Sequence, residues 1–273
     1  VTTHLLIDAD LMAYRAAAGT QDTHDWGDGV VSVETDIEAA KRQLRDQIDR
    51  WMADLEGDRF TICLSDDFNN FRKGIDPTYK QSRATVERPE MLYPLKSWLA
   101  ERFPHDRRRT LEADDVMGIL ATEPHQETRI IVSQDKDMRT IPGLLYRPFE
   151  EKPELEDITV ASADHFHLYQ TLIGDAVDCY PGCPGVGPKT ADIALRTLTG
   201  VAPVHREITR GKNKGEIRTT WENAPYDTPW EVVTSFFAKK GLTERHALVQ
   251  ARLARILRYE DFDGHRPILW TPK

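Results

Sequence analysis

Asp8, Asp10, Asp66, Asp67, Asp135 and Asp137 share one kind of position: they close the short apolar runs HLLIDAD, RFTICLSDD and TRIIVSQDKD. Carboxylate oxygens are hard donors suited to Mg2+, Mn2+ or Ca2+, whereas zinc is usually held by cysteine or histidine. Acids crowded together raise one another's pKa, and a cation among them removes the conflict. Loop chemistry accounts for one such aspartate, because aspartate suits turns. Three run ends with the same signature favour a cation site. Two more strings add to it. LEADDVMG puts Glu112, Asp114 and Asp115 at a helix start, where the helix dipole favours negative charge. GDAVDCYPGCPGVGPKTA carries Asp175 and Asp178 one helical turn apart, able to face the same way.

The elements that must position these acids follow from the spacing of apolar residues. The three runs read as parallel strands of one α/β sheet, which would gather the carboxylates at its carboxyl edge, where open sheets place ligands. Between the first two lies a helical stripe over 36–56, with Ile37, Ala40, Leu44, Ile48, Trp51, Met52 and Leu55, crossing to a strand at 59–65. Residues 68–88 are polar, basic and broken by Gly74 and Pro77, which predicts a loop or short helices. Helices are expected near 91–103 and from Leu111, before the third run. The acidic, proline-interrupted stretch 150–160 predicts a boundary near residue 160. Beyond it, helices are expected at 164–174, 188–199, 229–240 and 243–259, with a basic, glycine-bearing loop or hairpin at 204–227. In the GDAVDC string, proline and glycine set tight turns and Pro188 opens a helix. Free amides at that terminus, beside Lys189, would make a phosphate cradle.

A hydrophobic share of 40% with six Trp in 273 residues indicates a folded chain. No basic leader precedes an apolar stretch and no run reaches membrane-spanning length, so a soluble, intracellular protein is expected. Cys63, Cys179 and Cys183 lack zinc-finger spacing and read as free thiols. The net charge of -9 argues against phosphate binding when taken as an average. The bases, however, are grouped: Arg72–Arg88, Arg102–Arg109, Arg206–Arg218 and a helix through Arg245, Arg252, Arg255 and Arg258. Acids committed to cations would leave those groups to act on their own.

LEADD, SQDKDM and GDAVDCYPGCPGVGPKTA, in that order, resemble the 5'-nuclease superfamily of flap endonucleases, nearest to the phage 5'-to-3' exonucleases and related to the 5'-nuclease domain of bacterial DNA polymerase I. The resemblance runs from Leu5 to about Arg258. It implies a PIN-like twisted, mostly parallel sheet flanked by helices over residues 1–160, with a basic arch or loop at 68–110. A helical subdomain over 161–273 would follow, its helix-three-turn-helix at 174–199 gripping duplex DNA. Two divalent ions, Mg2+ with Mn2+ as substitute, would be held by Asp8, Asp66, Glu112, Asp114, Asp115, Asp135, Asp137, Asp175 and Asp178. Asp10 and Asp67 are left over, beside the ligands or in solvent. The family's basic stretch falls on NFRKGIDPTYKQSR, so that Arg72, Lys73, Tyr79, Lys80 and Arg83 would face the scissile phosphate or the threaded 5' end. Lys80 and Arg83 become candidates for stabilising transition-state charge. Gly182, Gly185, Gly187, Lys189 and Thr190 fall on the DNA-gripping turn, and Arg15 on a phosphate contact or an exposed helix charge. The chain departs from the family at Cys179, where asparagine is common, and at Tyr180, where an aliphatic residue is. Both bear on the module's fine geometry and on any K+ held there. The turn after Asp66 is also one residue shorter than in the polymerase-linked relatives, which leaves Asp66 against Asp67 open.

The implied reaction is phosphodiester hydrolysis by two divalent ions, leaving a 5' phosphate and a 3' hydroxyl. The substrates would be duplex, nicked or 5'-flap DNA, with the RNA strand of a hybrid as a further one, and the protein a monomer that meets replication proteins, in the host cytoplasm if phage-encoded. His165 and His167 are expected at the surface or its boundary, without catalysis. Two rival readings are a PIN-type ribonuclease, which lacks the helix-three-turn-helix, and a noncatalytic DNA-binding homologue, which should have lost its metal carboxylates. Here every family position has an acid.

Overall fold

The computed structural model describes residues 2–28 and 31–272. In chain order they form β1 (Thr3–Asp8), α1 (Ala9–Gly19), the hairpin β2 (Gln21–Asp25) and β3 (Val31–Thr35), α2 (Ile37–Asp54), β4 (Arg59–Leu64), the single turn α3 (Arg72–Ile75) and α4 (Leu92–Arg102). Then come β5 (His105–Arg107), α5 (Ala113–Thr122), β6 (Thr128–Val132), β7 (Gly143–Tyr146), β8 (Leu155–Ile158), α6 (Val160–Ile173), α7 (Pro188–Thr197), β9 (Thr199–Glu207), β10 (Ile217–Pro225), α8 (Pro229–Lys239) and α9 (Glu244–Ala254).

Two compact units result. The first holds residues up to Phe71, Thr85–Ala163 and Ile256–Ile268; the second holds Arg72–Ala84, Asp164–Arg255 and Leu269 onward. A single boundary near 160 therefore does not describe the chain. It crosses between units inside α6, sends 72–84 into the second unit and returns at 256. Local packing explains both detours. Tyr79 shares a small core with Tyr180 and Leu253, while the Leu257 amide donates to Asp115 Oδ1 at 3.1 Å. That return also ends the last helix at Ala254, short of the expected 259, because Arg255 is extended (ψ 112°).

The first unit is built on a six-stranded sheet of order β5-β4-β1-β6-β7-β8, parallel except for β8. β1 is central, and Leu5, Leu6 and Ile7 are fully buried because a parallel strand is covered on both faces. Leu5 and Ile7 pack with α1, α2 and α4, where the α2 stripe Ala40, Leu44, Ile48 and Trp51 is buried as its spacing predicts. Leu6 packs on the other face with Val116, Met117, Ile119 and Leu257. Gly118 has to be glycine there, since an added Cβ would collide with the Leu257 carbonyl. The chain leaves β1 first for β4 on one side and later for β6 on the other, which opens a crevice at the carboxyl ends of these strands. At the opposite, amino edge, Glu127 is clamped by Arg59 (2.6 Å), Arg129 (2.8 Å) and His4 (3.2 Å).

The second unit is helical apart from one ribbon. Leu172, Ala191, Leu195, Val233, Phe237, Ala247 and Ala251 form its core. β9 and β10 pair antiparallel through nine registered pairs and form the hairpin that 204–227 allowed.

Candidate active site

Asp8 ends β1 and caps α1, its Oδ1 accepting the Leu11 amide at 3.1 Å. Its Oδ2 accepts from Ser133 Oγ at 2.8 Å, and the same hydroxyl accepts the Asp135 amide at 3.1 Å. Ser133 thus links the ends of β1 and β6. Burial pushes the Asp8 carboxyl up to about 6; Asp10 and Asp135 add to the rise, against the hydrogen bonds from Ser133 and Leu11. Burial likewise pushes the neighbouring Cys63 thiol well up, with Asp106, Asp8 and Asp10 reinforcing it. The acids gather at the carboxyl edge as the strand pattern requires.

Asp10 and Asp67, the two acids without a family counterpart, have a different partner. Lys96 Nζ lies 2.8 Å from Asp10 and also pairs with Asp67, its side chain only 4% exposed. Lys96 lies outside the acidic motifs and the grouped bases of the sequence. The available signal was its place in LYPLKSWL, on the buried stripe of Leu92, Leu95 and Leu99. One buried ammonium between two aspartates offsets one of their two charges, and its pairing with Asp67 sets that acid apart from Asp66.

Asp66 shapes its own loop. It accepts amides from Phe68 (3.0 Å), Asn69 (3.2 Å) and Thr110 (2.9 Å). Burial works to raise its carboxyl, but these amide hydrogen bonds prevail and hold it below the ordinary range. Glu112 and Asp114 are half-buried at the start of α5. Asp115 is fully buried, accepting the Glu112 amide at 3.1 Å with Oδ2 and the Leu257 amide with Oδ1. Its oxygens therefore staple α5 to the returning chain, a structural task the motif did not announce. Asp135 is exposed and its Oδ1 accepts the Asp137 amide at 2.8 Å.

Among the described residues, no three acids, histidines or cysteines are arranged as a ligand set for a metal ion. The donor set nonetheless fits a hard cation. Asp8 is an acid held in a buried place against two like charges, and a positive charge beside it would lower that cost. Asp8, Asp66, Glu112, Asp114, Asp135 and Asp137 are the first unit's candidates to hold one.

Asp175 and Asp178 belong to the second unit and occupy a tight turn, not a helix: Asp175 and Tyr180 bridge across it, and Asp175 Oδ1 accepts the amides of Val177 and Asp178 at 2.7 and 3.2 Å. The one-turn helical geometry expected of them is absent. Asp178 instead receives Tyr79 OH (3.2 Å), Lys80 Nζ (3.5 Å) and Arg83 Nη2 (2.8 Å). The basic stretch is thus gathered on one acid. Two members are corrected. Arg72 is 2% exposed and donates to the carbonyls of Leu253 (3.1 Å) and Arg255 (2.6 Å), and the Tyr79 ring is buried, so neither presents itself to a phosphate. Lys73 and Arg83 are exposed.

The turns after Tyr180 also sort by position. Gly174 and Gly182 lie back to back with φ of +72° and +64°, and a Cβ on either would strike the other's backbone. Gly182 is therefore a packing glycine rather than a DNA contact. Gly185, Gly187, Lys189 and Thr190 are exposed around the start of α7, whose N-cap Gly187 contributes no side-chain cap. Arg15, on α1 of the first unit, stacks over Phe149 at 4.0 Å. His165 pairs with Asp192 at 3.0 Å, while His167 is buried against the Ala251 carbonyl, further inside than expected.

Comparison with known proteins converges on one family. Residues 3–143 match the family described as 5'-3' exonuclease, N-terminal resolvase-like domain. The exodeoxyribonuclease of Enterobacteria phage T3 is 32% identical over 98% of this chain and 93% of its own length. Flap endonuclease Xni of Shewanella pealeana is 32% identical over 54% of this chain and 62% of its own length. Among solved structures, the bacteriophage T5 5'-exonuclease with bound zinc shares the fold at a TM-score of 0.57 and 14% identity, over 92% of this chain and 93% of that one. The T5 flap endonuclease solved with DNA and metal ions gives 0.54 at 15% identity, over 72% and 75%. Acidic strand ends on a mostly parallel sheet and a full-length likeness to phage exonucleases lead to one statement: the chain belongs to the 5'-3' exonuclease family.

Proposed function

We propose that the protein is a divalent-metal-dependent 5'-to-3' exonuclease on duplex DNA that also cuts 5' flaps. The observation that carries this is Asp8, an acid kept buried beside Asp10 and Asp135 at a sheet edge where a bound cation would relieve the crowding. Bound Mg2+ or Mn2+ would supply an activated water and charge for the leaving oxygen. Asp8, Asp66, Glu112, Asp114, Asp135 and Asp137 hold that charge in the first unit, and Ser133 fixes Asp8. Lys96 keeps Asp10 and Asp67 out of the set. In the second unit, Lys80 and Arg83 offer positive charge to a phosphate once Asp178 releases them, and Asp175 and Asp178 are the candidates there to meet an ion. The open start of α7, with Lys189 and Thr190, suits a phosphate of the duplex. A K+ at the same turns and the RNA strand of a hybrid as substrate belong to this reading as well. Among the described residues no helix is long and apolar enough to cross a membrane.

The test is cleavage of 5'-labelled duplex, nicked and flap DNA in Mg2+, Mn2+ or EDTA. Short 5'-phosphorylated products and flap release in either metal, lost with chelator, are expected. Degradation that continues in EDTA, or cleavage of single-stranded RNA alone, would overturn it.

A further inference from the structure

The β9–β10 ribbon has no role in the chemistry above. Its strands run nine residues each, roughly 30 Å at about 3.4 Å per residue. Only the root is held. The Val201 amide donates to Ser235 Oγ at 3.1 Å, Tyr226 OH donates to the Val201 carbonyl at 3.0 Å, and Gly200 lies too close to Ser235 and Tyr226 to carry a Cβ. Beyond the root the side chains turn to solvent, with Ile217 63% exposed. An isolated two-stranded ribbon contributes little stability of its own.

Its charge runs against that of the chain. Arg206, Arg210, Lys212, Lys214 and Arg218 outnumber Glu207, Glu216 and Glu222, in a protein whose total is -9. Register makes the pattern sharper. Arg206 and Arg218 are direct cross-strand partners, so their side chains leave the same face a few ångströms apart. Like charges in that position cost stability. Glu222 engages Arg206 at 2.7 Å, but among the described residues Arg210, Lys212, Lys214 and Arg218 make no ion pair. An opposed arginine pair, offset only in part by Glu222, below a basic tip is a cost to folding that a phosphate between the two would lower. A narrow two-stranded ribbon also fits the width of a DNA groove.

We propose that this ribbon binds the phosphate backbone of duplex DNA, holding phosphate between Arg206 and Arg218 and along the tip from Arg210 to Lys214. The proposal rests on the nuclease reading above and adds where the duplex is held. Its contacts are to backbone, so they strengthen binding without selecting sequence.

Three proteins decide it: wild type, Arg218→Thr, and Lys212→Ser combined with Lys214→Ser. Duplex affinity is read by fluorescence anisotropy in EDTA at several KCl concentrations, beside kcat at saturating duplex in Mg2+ and the thermal midpoint. Each variant should bind about tenfold more weakly, and its log Kd against log salt plot should flatten by about 0.9 for each phosphate no longer neutralised. The turnover at saturation should stay within about twofold, and Arg218→Thr should melt at or above the wild-type temperature, because a repulsion is gone. Variants that bind as wild type does, with the same salt slope, overturn the proposal while the nuclease reading stands. A weaker Kd accompanied by a lower melting point and lower kcat would show a structural ribbon and overturn it too. Wild-type protein that neither bound nor cut duplex would bring down both readings.

Discussion

The two edges of the central sheet carry acids under opposite conditions. At the amino edge, Arg59 holds Glu127 down to about 2, with Arg129 and His4 joining it, although burial works the other way. At the carboxyl edge, burial and acidic neighbours push Asp8 up to about 6. The same strands β1, β4 and β6 supply both ends. The difference separates an acid whose cations belong to the fold from one that the proposed reading assigns to chemistry. Glu127 comes with its cations on adjoining strands, whereas Asp8 comes with more acids, and on the proposed reading a bound cation supplies the positive charge that would offset them.

The sharpest way to break this comparison is Asp8→Asn. The amide keeps the α1 cap and removes the buried charge. Cleavage of labelled duplex should fall by about 10³-fold or more while the thermal midpoint holds or rises. A variant that cuts normally would make Asp8 merely another structural acid. Next in size is Lys96→Met, which strands Asp10 and Asp67 at the carboxyl edge. Urea unfolding should show a loss of about 3–5 kcal/mol, and adding Asp67→Ser should restore part of it, as coupled neighbours do. Additive losses would mean that Lys96 and Asp67 do not compensate each other.

Lys80→Ala carries the comparison to the second unit, whose acid Asp178 is surrounded by cations. If Lys80 is released to a phosphate, kcat should drop by about 10²-fold with duplex Kd little changed. An unchanged kcat would leave Lys80 as a partner of Asp178 and nothing more. The smallest effect belongs to Glu127→Gln. Glu127 is depressed in the folded state, so its contribution is full above its ordinary value of 4.5 and disappears as pH falls toward about 2. The variant should therefore lose a few degrees of melting temperature at pH 7 and lose less than wild type between pH 5 and pH 2, which a series of thermal melts would read directly.

What the sequence could disclose was local. The strand ends, the α2 stripe and the proline-glycine turns after Asp178 are written in spacing and turn chemistry within a few residues of each other. The residues whose surroundings spacing does not disclose are those whose partners lie far away. Arg72 carries the marks of a surface base, but its acceptors are carbonyls some 180 positions on. Asp115 sits in an acidic helix start, yet one of its oxygens belongs to Leu257. Lys96 was detectable only as a charge on an apolar stripe. Asp175 and Asp178 had helical spacing, and the bridge between Asp175 and Tyr180 overrode it. Charge alone cannot say whether a base meets a ligand or a carbonyl, since either satisfies the same group.

Gly118, pressed against the Leu257 carbonyl, has a consequence for how the protein is made. One flank of α5 stays bare until residues 256 and 257 have left the ribosome, well after the helix itself is synthesised. At roughly 5–20 residues per second the nascent chain spends several seconds with that apolar flank uncovered. A ribosome stalled before this point would hold α5 with an open side, so expression that is sensitive to chaperone supply is expected even though the finished protein is well packed.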